Sequence, residues 1–260
     1  MQRGVGSGGP GGVYVVKLGG SVLTDKRRPF SLRLGVVERL AAELAAARGR
    51  LAGLVLGGGS FGHYTARVAL EEARGPGEVL GLVTAAMMEL ALAVVDVLHS
   101  KGLYTLVLPP HAFCRPRGLR PGCDWAAARA ARDVDAVPLT YGDAYPCSRG
   151  ACIVSGDELL LEMACALGAS EAVYVTDVDG LIVGGRLVEE VGVDELSALA
   201  AGGRSEGYDV TGGFARKLEA LRQNLCPGLR SVWIVNGLKP GRLQRLLEGG
   251  RVTATRVTLP

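Results

Sequence analysis

The chain has 260 residues, 48% of them hydrophobic and 21% charged, which is enough for one large core and excludes a disordered chain. Its net charge is only +3, and a nucleic-acid partner would need a concentrated basic stripe. The densest basic stretch, Arg115, Arg117, Arg120, Arg129 and Arg132, therefore reads as a solvated face.

Residues 1–12 are Gly-rich and lack the apolar segment of a signal peptide. They read as a flexible tail before a single domain over 13–260, with a soft division near residue 150. The most apolar stretch, 85–98, is broken by Glu89 and Asp96, so no membrane span is expected.

In chain order, 13–18 is an apolar run ending in Gly-Gly and reads as a buried strand. Residues 34–47 have helical periodicity, and 51–56 form a second strand. Helices are expected over 61–74 and 79–100, parted by Gly75-Pro76-Gly77. A strand over 104–108 stops at Pro109-Pro110, and a helix covers 124–131. Strands over 136–139 and 151–154 flank a turn-rich 141–150. A helix over 158–167, a strand over 172–176 and a short hairpin strand over 186–188 follow. The remainder reads as a helix over 213–224, a strand over 232–235, a helix over 241–247 and a last strand over 251–257. Alternation of this kind predicts an α/β fold with a largely parallel sheet covered on both faces. Ligands in such folds bind at the carboxyl ends of the strands.

The glycine clusters fall at those ends. Lys17-Leu18-Gly19-Gly20-Ser21 follows the first strand, with Lys26 beyond it. Two glycines let backbone N–H groups approach an anion that the Lys17 ammonium also reaches. Gly57-Gly58-Gly59-Ser60-Phe61-Gly62-His63 follows the second strand and enters a helix, a place for phosphate. His99 and His111 lack such a context and read as structural. Gly57, Gly59 and Gly62 also satisfy the dinucleotide-binding spacing, but no acidic strand end follows about 20 residues later. Three more segments could serve the same anion: Ser155-Gly156-Asp157 opening a helix, Thr176-Asp177-Val178-Asp179-Gly180 after a strand, and Thr211-Gly212-Gly213 leading to Lys217. Helix caps and ordinary turns explain each of them separately. Only five lysines occur beside 24 arginines, and three of the five lie in or beside glycine-rich segments. A compact ammonium fits among phosphate oxygens where a planar guanidinium does not.

Six cysteines, Cys114, Cys123, Cys147, Cys152, Cys165 and Cys226, form no C-x-x-C pair and have no histidine at zinc-ligand spacing. They read as buried free thiols, and with no secretion signal the compartment reads as the cytoplasm.

These five segments, in this order, resemble the amino acid kinase family from Lys17 to about Gly237. The loop ending Gly-Ser-Phe-Gly-His63 is similar to the branch of that family that phosphorylates isopentenyl phosphate. The stretches 21–26 and 153–157 fit the same branch. The resemblance implies a three-layer αβα sandwich around an open, mostly parallel sheet, and a homodimer. It implies ATP and Mg²⁺, with the acceptor held by residues 13–150 and the nucleotide by 151–260. Lys17, Gly19, Gly20, Ser21 and Gly59 would contact ATP phosphates, and Asp177, Gly213 and Lys217 the nucleotide. Lys26 would stabilise the transferring group, Gly58, His63 and Gly156 would hold the acceptor phosphate, and Asp157 would orient Lys17 and Lys217. No protein-held metal is implied. One departure is Leu56, where the family commonly has histidine. Val79–Ser100 residues Leu82, Val83, Met87 and Leu90 are candidates for an apolar acceptor pocket. Other readings on the same fold are a kinase of another small phosphate or phosphonate, or of a nucleoside monophosphate, and a non-catalytic nucleotide-binding or storage protein.

Overall fold

A computed structural model describes residues 11–25, 27–72, 75–117, 120–196 and 225–260. The expected amino-terminal tail, except its last two residues, and the expected helix over 213–224 lie outside the described residues. The central sheet collects the short apolar runs: β1 (Tyr14–Leu18), β2 (Leu51–Leu56), β3 (Thr105–Val107), β6 (Val137–Tyr141), β9 (Glu171–Thr176), β12 (Glu190–Gly192), β13 (Ser231–Asn236) and β14 (Ala254–Thr258). Their order is β12-β14-β13-β9-β1-β2-β6-β3, and every neighbouring pair is parallel except β13 with β14. Three hairpins stand apart from it: β4 (Cys114–Arg117) with β5 (Arg120–Cys123), β7 (Asp143–Cys147) with β8 (Gly150–Val154), and β10 (Leu181–Val183) with β11 (Arg186–Val188).

The inner strands β1, β2, β6, β9 and β13 are buried on both faces, as parallel strands require. One core gathers Tyr14, Val16, Leu18, Val173, Val175, Trp233 and Val235 against α2 (Leu34–Ala46), α3 (Gly59–Glu72), α4 (Pro76–Ser100) and α8 (Arg242–Leu247). The other gathers Val15, Ala172, Tyr174, Val232 and Ile234 against α7 (Gly156–Ala166), with Ala128 of α6 (Ala126–Asp133). Successive strand residues therefore alternate between the two layers, the period-2 pattern of a pleated strand. Two further short helices among the described residues are α1 (Gly20–Leu23) and α5 (Pro110–Phe113).

Several boundaries differ from the sequence expectation for local reasons. Pro76 opens α4 rather than preceding it, since its missing N–H is an orphan in the first helical turn anyway. By length and composition α4 could cross a membrane. Here its face carrying Val83, Met87, Leu90, Val94 and Leu98 is buried in the core. The turn-rich 141–150 is half of the β7–β8 hairpin.

The cysteines correct the expectation of free thiols. All six are paired, as Cys114–Cys123, Cys147–Cys152 and Cys165–Cys226. The first two close hairpins, where Cys114 faces Cys123 across β4–β5 and Cys152 lies near Cys147 across β7–β8. The third ties α7 to residue 226 across 61 positions. Spacing in the sequence shows none of these approaches, because a hairpin or a crossover creates each one.

Candidate active site

Strand alternation decides where Lys17 points. Val15 belongs to the α7 layer, so Lys17, two residues on, faces the same way. There its ammonium donates to Asp157 Oδ1 at 2.7 Å, with the Lys17 residue only 7% exposed. Asp157 is the second residue of α7, which opens on a capping box between Ser155 and Glu158. The cap fixes the helix start, and the helix start fixes Asp157. Tyr174 lies opposite Lys17 in the β1–β9 register, its ring centroid 5.8 Å from Nζ, and its hydroxyl donates to the Asp157 carbonyl at 3.4 Å.

The first two glycine loops interlock at the carboxyl ends of β1 and β2. The Gly19 amide donates to the Val175 carbonyl at 2.8 Å, and the Gly57 amide to Leu18 at 2.9 Å. A Cβ on Gly57 would stand 2.6 Å from the Gly20 nitrogen, and one on Gly19 2.7 Å from the Val175 oxygen. A Cβ on Gly20 would collide with the Gly59 backbone. Gly59 also has φ +49°, a conformation that favours glycine. These glycines therefore exist for close backbone approach. Thr24 links the two loops from the side: its hydroxyl donates to Gly20 at 2.8 Å and accepts from the Ser60 amide at 2.9 Å. It thereby caps α3 from another element.

Together these elements enclose a cavity of about 340 Å³. Its wall contains Lys17, Gly19, Gly20 and Ser21 from the first loop, and Gly58, Gly59 and His63 from the second. Gly156 and Asp157 close it from α7, and Thr176 from the end of β9. The first turns of α3 and α7 both end in this space, so two helix dipoles present their positive ends to it. Ala66, Val83, Met87 and Ile153 add an apolar stretch to the same wall. Of the four residues expected to form an apolar pocket, Val83 and Met87 line it. Leu82 faces solvent, and Leu90 is core. Met87 packs its sulfur under the loop, where a Cβ on Gly62 would meet it at 2.6 Å.

Asp177 stands just past Thr176, whose hydroxyl donates to its carboxylate at 3.1 Å. Leu56 is fully buried at the end of β2. Lys26, Gly213 and Lys217 lie outside the described residues. Sequence reading missed Thr24, Tyr174, Asp143 and Ser60. Interstrand register pairs Tyr174 with Lys17, and a contact between the loops joins Thr24 to Ser60.

The sequence matches the amino acid kinase family over residues 12–236. The chain belongs to the amino acid kinase family. Curated isopentenyl phosphate kinases are among its relatives. That of Methanothermobacter thermautotrophicus is 30% identical over 268 residues, covering 95% of this chain and 99% of the relative. That of Methanocaldococcus jannaschii is 28% identical over 251 residues, covering 90% and 95%. The enzyme of Haloferax volcanii is 35% identical over 217 residues, covering 80% and 87%. A crystal structure of isopentenyl phosphate kinase superposes with a TM-score of 0.78 at 27% identity, covering 95% of this chain and all of that one. The open, mostly parallel sheet between helical layers is thus the amino acid kinase fold.

Proposed function

We propose that this amino acid kinase transfers the γ-phosphoryl group of ATP to isopentenyl phosphate, giving isopentenyl diphosphate and ADP. The observation that carries the reading is the mixed wall of one cavity. Glycine loops, Lys17 and His63 meet an apolar stretch of Ala66, Val83, Met87 and Ile153. A phosphate on a short hydrocarbon tail has those two characters. The similarity to full-length isopentenyl phosphate kinases supports it.

In this reading a phosphate oxygen of the acceptor attacks the γ-phosphorus in line, and the bond to the β–γ bridging oxygen breaks. The attacking oxygen is already anionic, so no general base is required. The obstacle is repulsion between two anions, and the chain's part is positioning and positive charge. Lys17 and the amides of Gly19, Gly20, Ser21 and Gly59 hold the ATP phosphates. Gly58, His63 and Gly156 hold the acceptor phosphate. Asp157 acts through Lys17, whose ammonium it fixes at 2.7 Å. Lys26, Lys217, Gly213 and Asp177 complete the site, with Lys26 on the transferring group and the other three on the nucleotide. Mg²⁺ would screen the nucleotide's phosphates. The ion would enter with the nucleotide, held mainly by phosphate oxygens and water.

In this scheme residues 13–150 serve the acceptor and, through Lys17–Ser21 and Gly59, the ATP phosphates, while 151–260 hold the rest of the nucleotide and reach the acceptor through Gly156. A second copy would cover the exposed Leu82, Met88 and Leu92 of α4 to make a homodimer. The compartment is read as cytoplasmic. Three disulfides restrict that to a cell interior where they persist, as in hyperthermophiles. A panel of acceptors tests the substrate: isopentenyl phosphate, N-acetylglutamate and UMP, each with Mg-ATP and ADP release as readout. Turnover confined to isopentenyl phosphate is expected. Preference for either of the others would replace the acceptor assignment.

A further inference from the structure

The cavity wall contains an acidic residue that the transfer chemistry leaves unused. Asp143 opens β7 and lines the cavity beside Gly142, Ile153 and Val154. Its side chain has no exposed surface. A carboxylate there is unfavourable on two grounds. Burial penalises its charge, and a dianionic acceptor would meet a like charge through a poorly screened wall. Burial indeed pushes the Asp143 carboxyl above its ordinary range, while the His111 ring and the Ala144 amide act in the opposite sense.

The fold brings a counter-group to the carboxylate. The short helix α5 follows β3 and carries His111, whose Nδ1 lies 2.7 Å from Asp143 Oδ2. The other carboxylate oxygen accepts from the Ala144 amide at 2.8 Å. Both oxygens are therefore engaged, one by a group able to carry a positive charge. The His111 side chain is 31% exposed, so the ring spans from solvent to the back of the cavity wall.

We propose that His111 is a positioning residue for the acceptor, cancelling the Asp143 charge behind the wall so that a dianionic phosphate monoester can enter. The inference rests on the acceptor reading above. It is distinct from simple packing, because packing would not depend on the charge of the acceptor or be relieved by neutralising Asp143.

The test uses the full chain and four proteins: wild type, His111→Gln, Asp143→Asn and the double variant. Glutamine keeps a hydrogen-bond donor of similar size that cannot carry a charge. His111→Gln should raise KM for isopentenyl phosphate about fivefold or more while KM for ATP moves less than about twofold. Asp143→Asn added to it should return the acceptor KM to within about twofold of wild type, since the repelling charge is gone. An unmoved acceptor KM in His111→Gln, or a double variant that binds acceptor no better than the single one, would overturn the proposal. A second readout needs no Asp143 variant. The monomethyl ester of isopentenyl phosphate is a monoanion, and as a competitive inhibitor it should lose less affinity in His111→Gln than the dianion does. Equal losses would mark a structural role and sink the inference. Wild-type protein with no turnover of isopentenyl phosphate would remove the acceptor reading itself, and this inference with it.

Discussion

Replacing Asp157 with asparagine keeps the shape of the side chain and removes the charge that receives Lys17. The two groups are 2.7 Å apart, with side chains 9% and 16% exposed. Removing one partner of a buried pair costs about 3–5 kcal/mol. The small residual exposure sets the expectation at the lower end, about 3 kcal/mol. For a chain of this size that is a fall in Tm of roughly 6–12 °C. Turnover should suffer as well, because the Lys17 ammonium loses its fixed position. Loss of one preorganised charge-stabilising group typically lowers kcat by about 10²–10³-fold. The assays are a thermal melt and steady-state ADP release at saturating ATP. Lys17→Met in the same background provides the control. The double variant also removes the Lys17 charge that Asp157→Asn strands, so it should be at least as stable as Asp157→Asn alone. An Asp157→Asn protein with unchanged melting and turnover, or strictly additive stability losses, would refute the reasoning and leave Asp157 as an ordinary first-turn residue.

His63→Ala should lower kcat/KM for the acceptor at least about tenfold, from the 1.5–3 kcal/mol of a charge-assisted hydrogen bond. KM for ATP should stay put, and an unchanged kcat/KM would remove His63 from the acceptor site. The Cys165–Cys226 bridge closes 61 positions, for which chain entropy gives about 4 kcal/mol. Cys165→Ser with Cys226→Ser should therefore melt well below wild type under oxidising conditions, and identical melting would mean that the bridge contributes nothing. Burial, with Glu158 adding to it, pushes Glu162 from 4.5 up to about 7, against the pull of Trp125 and the Cys123 amide. A raised acid favours the folded state only while protonated. Its stabilising share is complete below pH 4.5 and disappears as pH rises through 7. Glu162→Gln should thus gain about 2 kcal/mol at pH 8 and flatten stability against pH between those values. A less stable variant at pH 8 would contradict that sign.

The parts legible in the sequence are those set locally. Mostly apolar runs of four to six residues marked β1, β2, β9 and β13, since a strand buried on both faces needs no partner to be recognised. The glycine loops were legible for the same reason, because close backbone approach leaves a residue signature at the site of approach. What remained hidden is non-local. Tyr174 reaches Lys17 through register, and Thr24 reaches Ser60 across 36 positions. His111 meets Asp143 across 32 positions. The expectation of free thiols failed because spacing reports only C-x-x-C geometry. Hairpins and a helix-to-loop crossing made all three bridges. The β7–β8 hairpin, which lends Asp143, Ile153 and Val154 to the cavity, was concealed by its own turn-forming residues.

The most direct measurement follows the phosphorus. Purified protein is mixed with Mg-ATP and isopentenyl phosphate, and the reaction is watched by ³¹P NMR, with the product mass confirmed. Transfer predicts a diphosphate resonance growing one-for-one with ADP, with the acceptor's monophosphate signal falling in step. ADP with free inorganic phosphate and an untouched acceptor, or no ADP at all, would contradict phosphoryl transfer to isopentenyl phosphate.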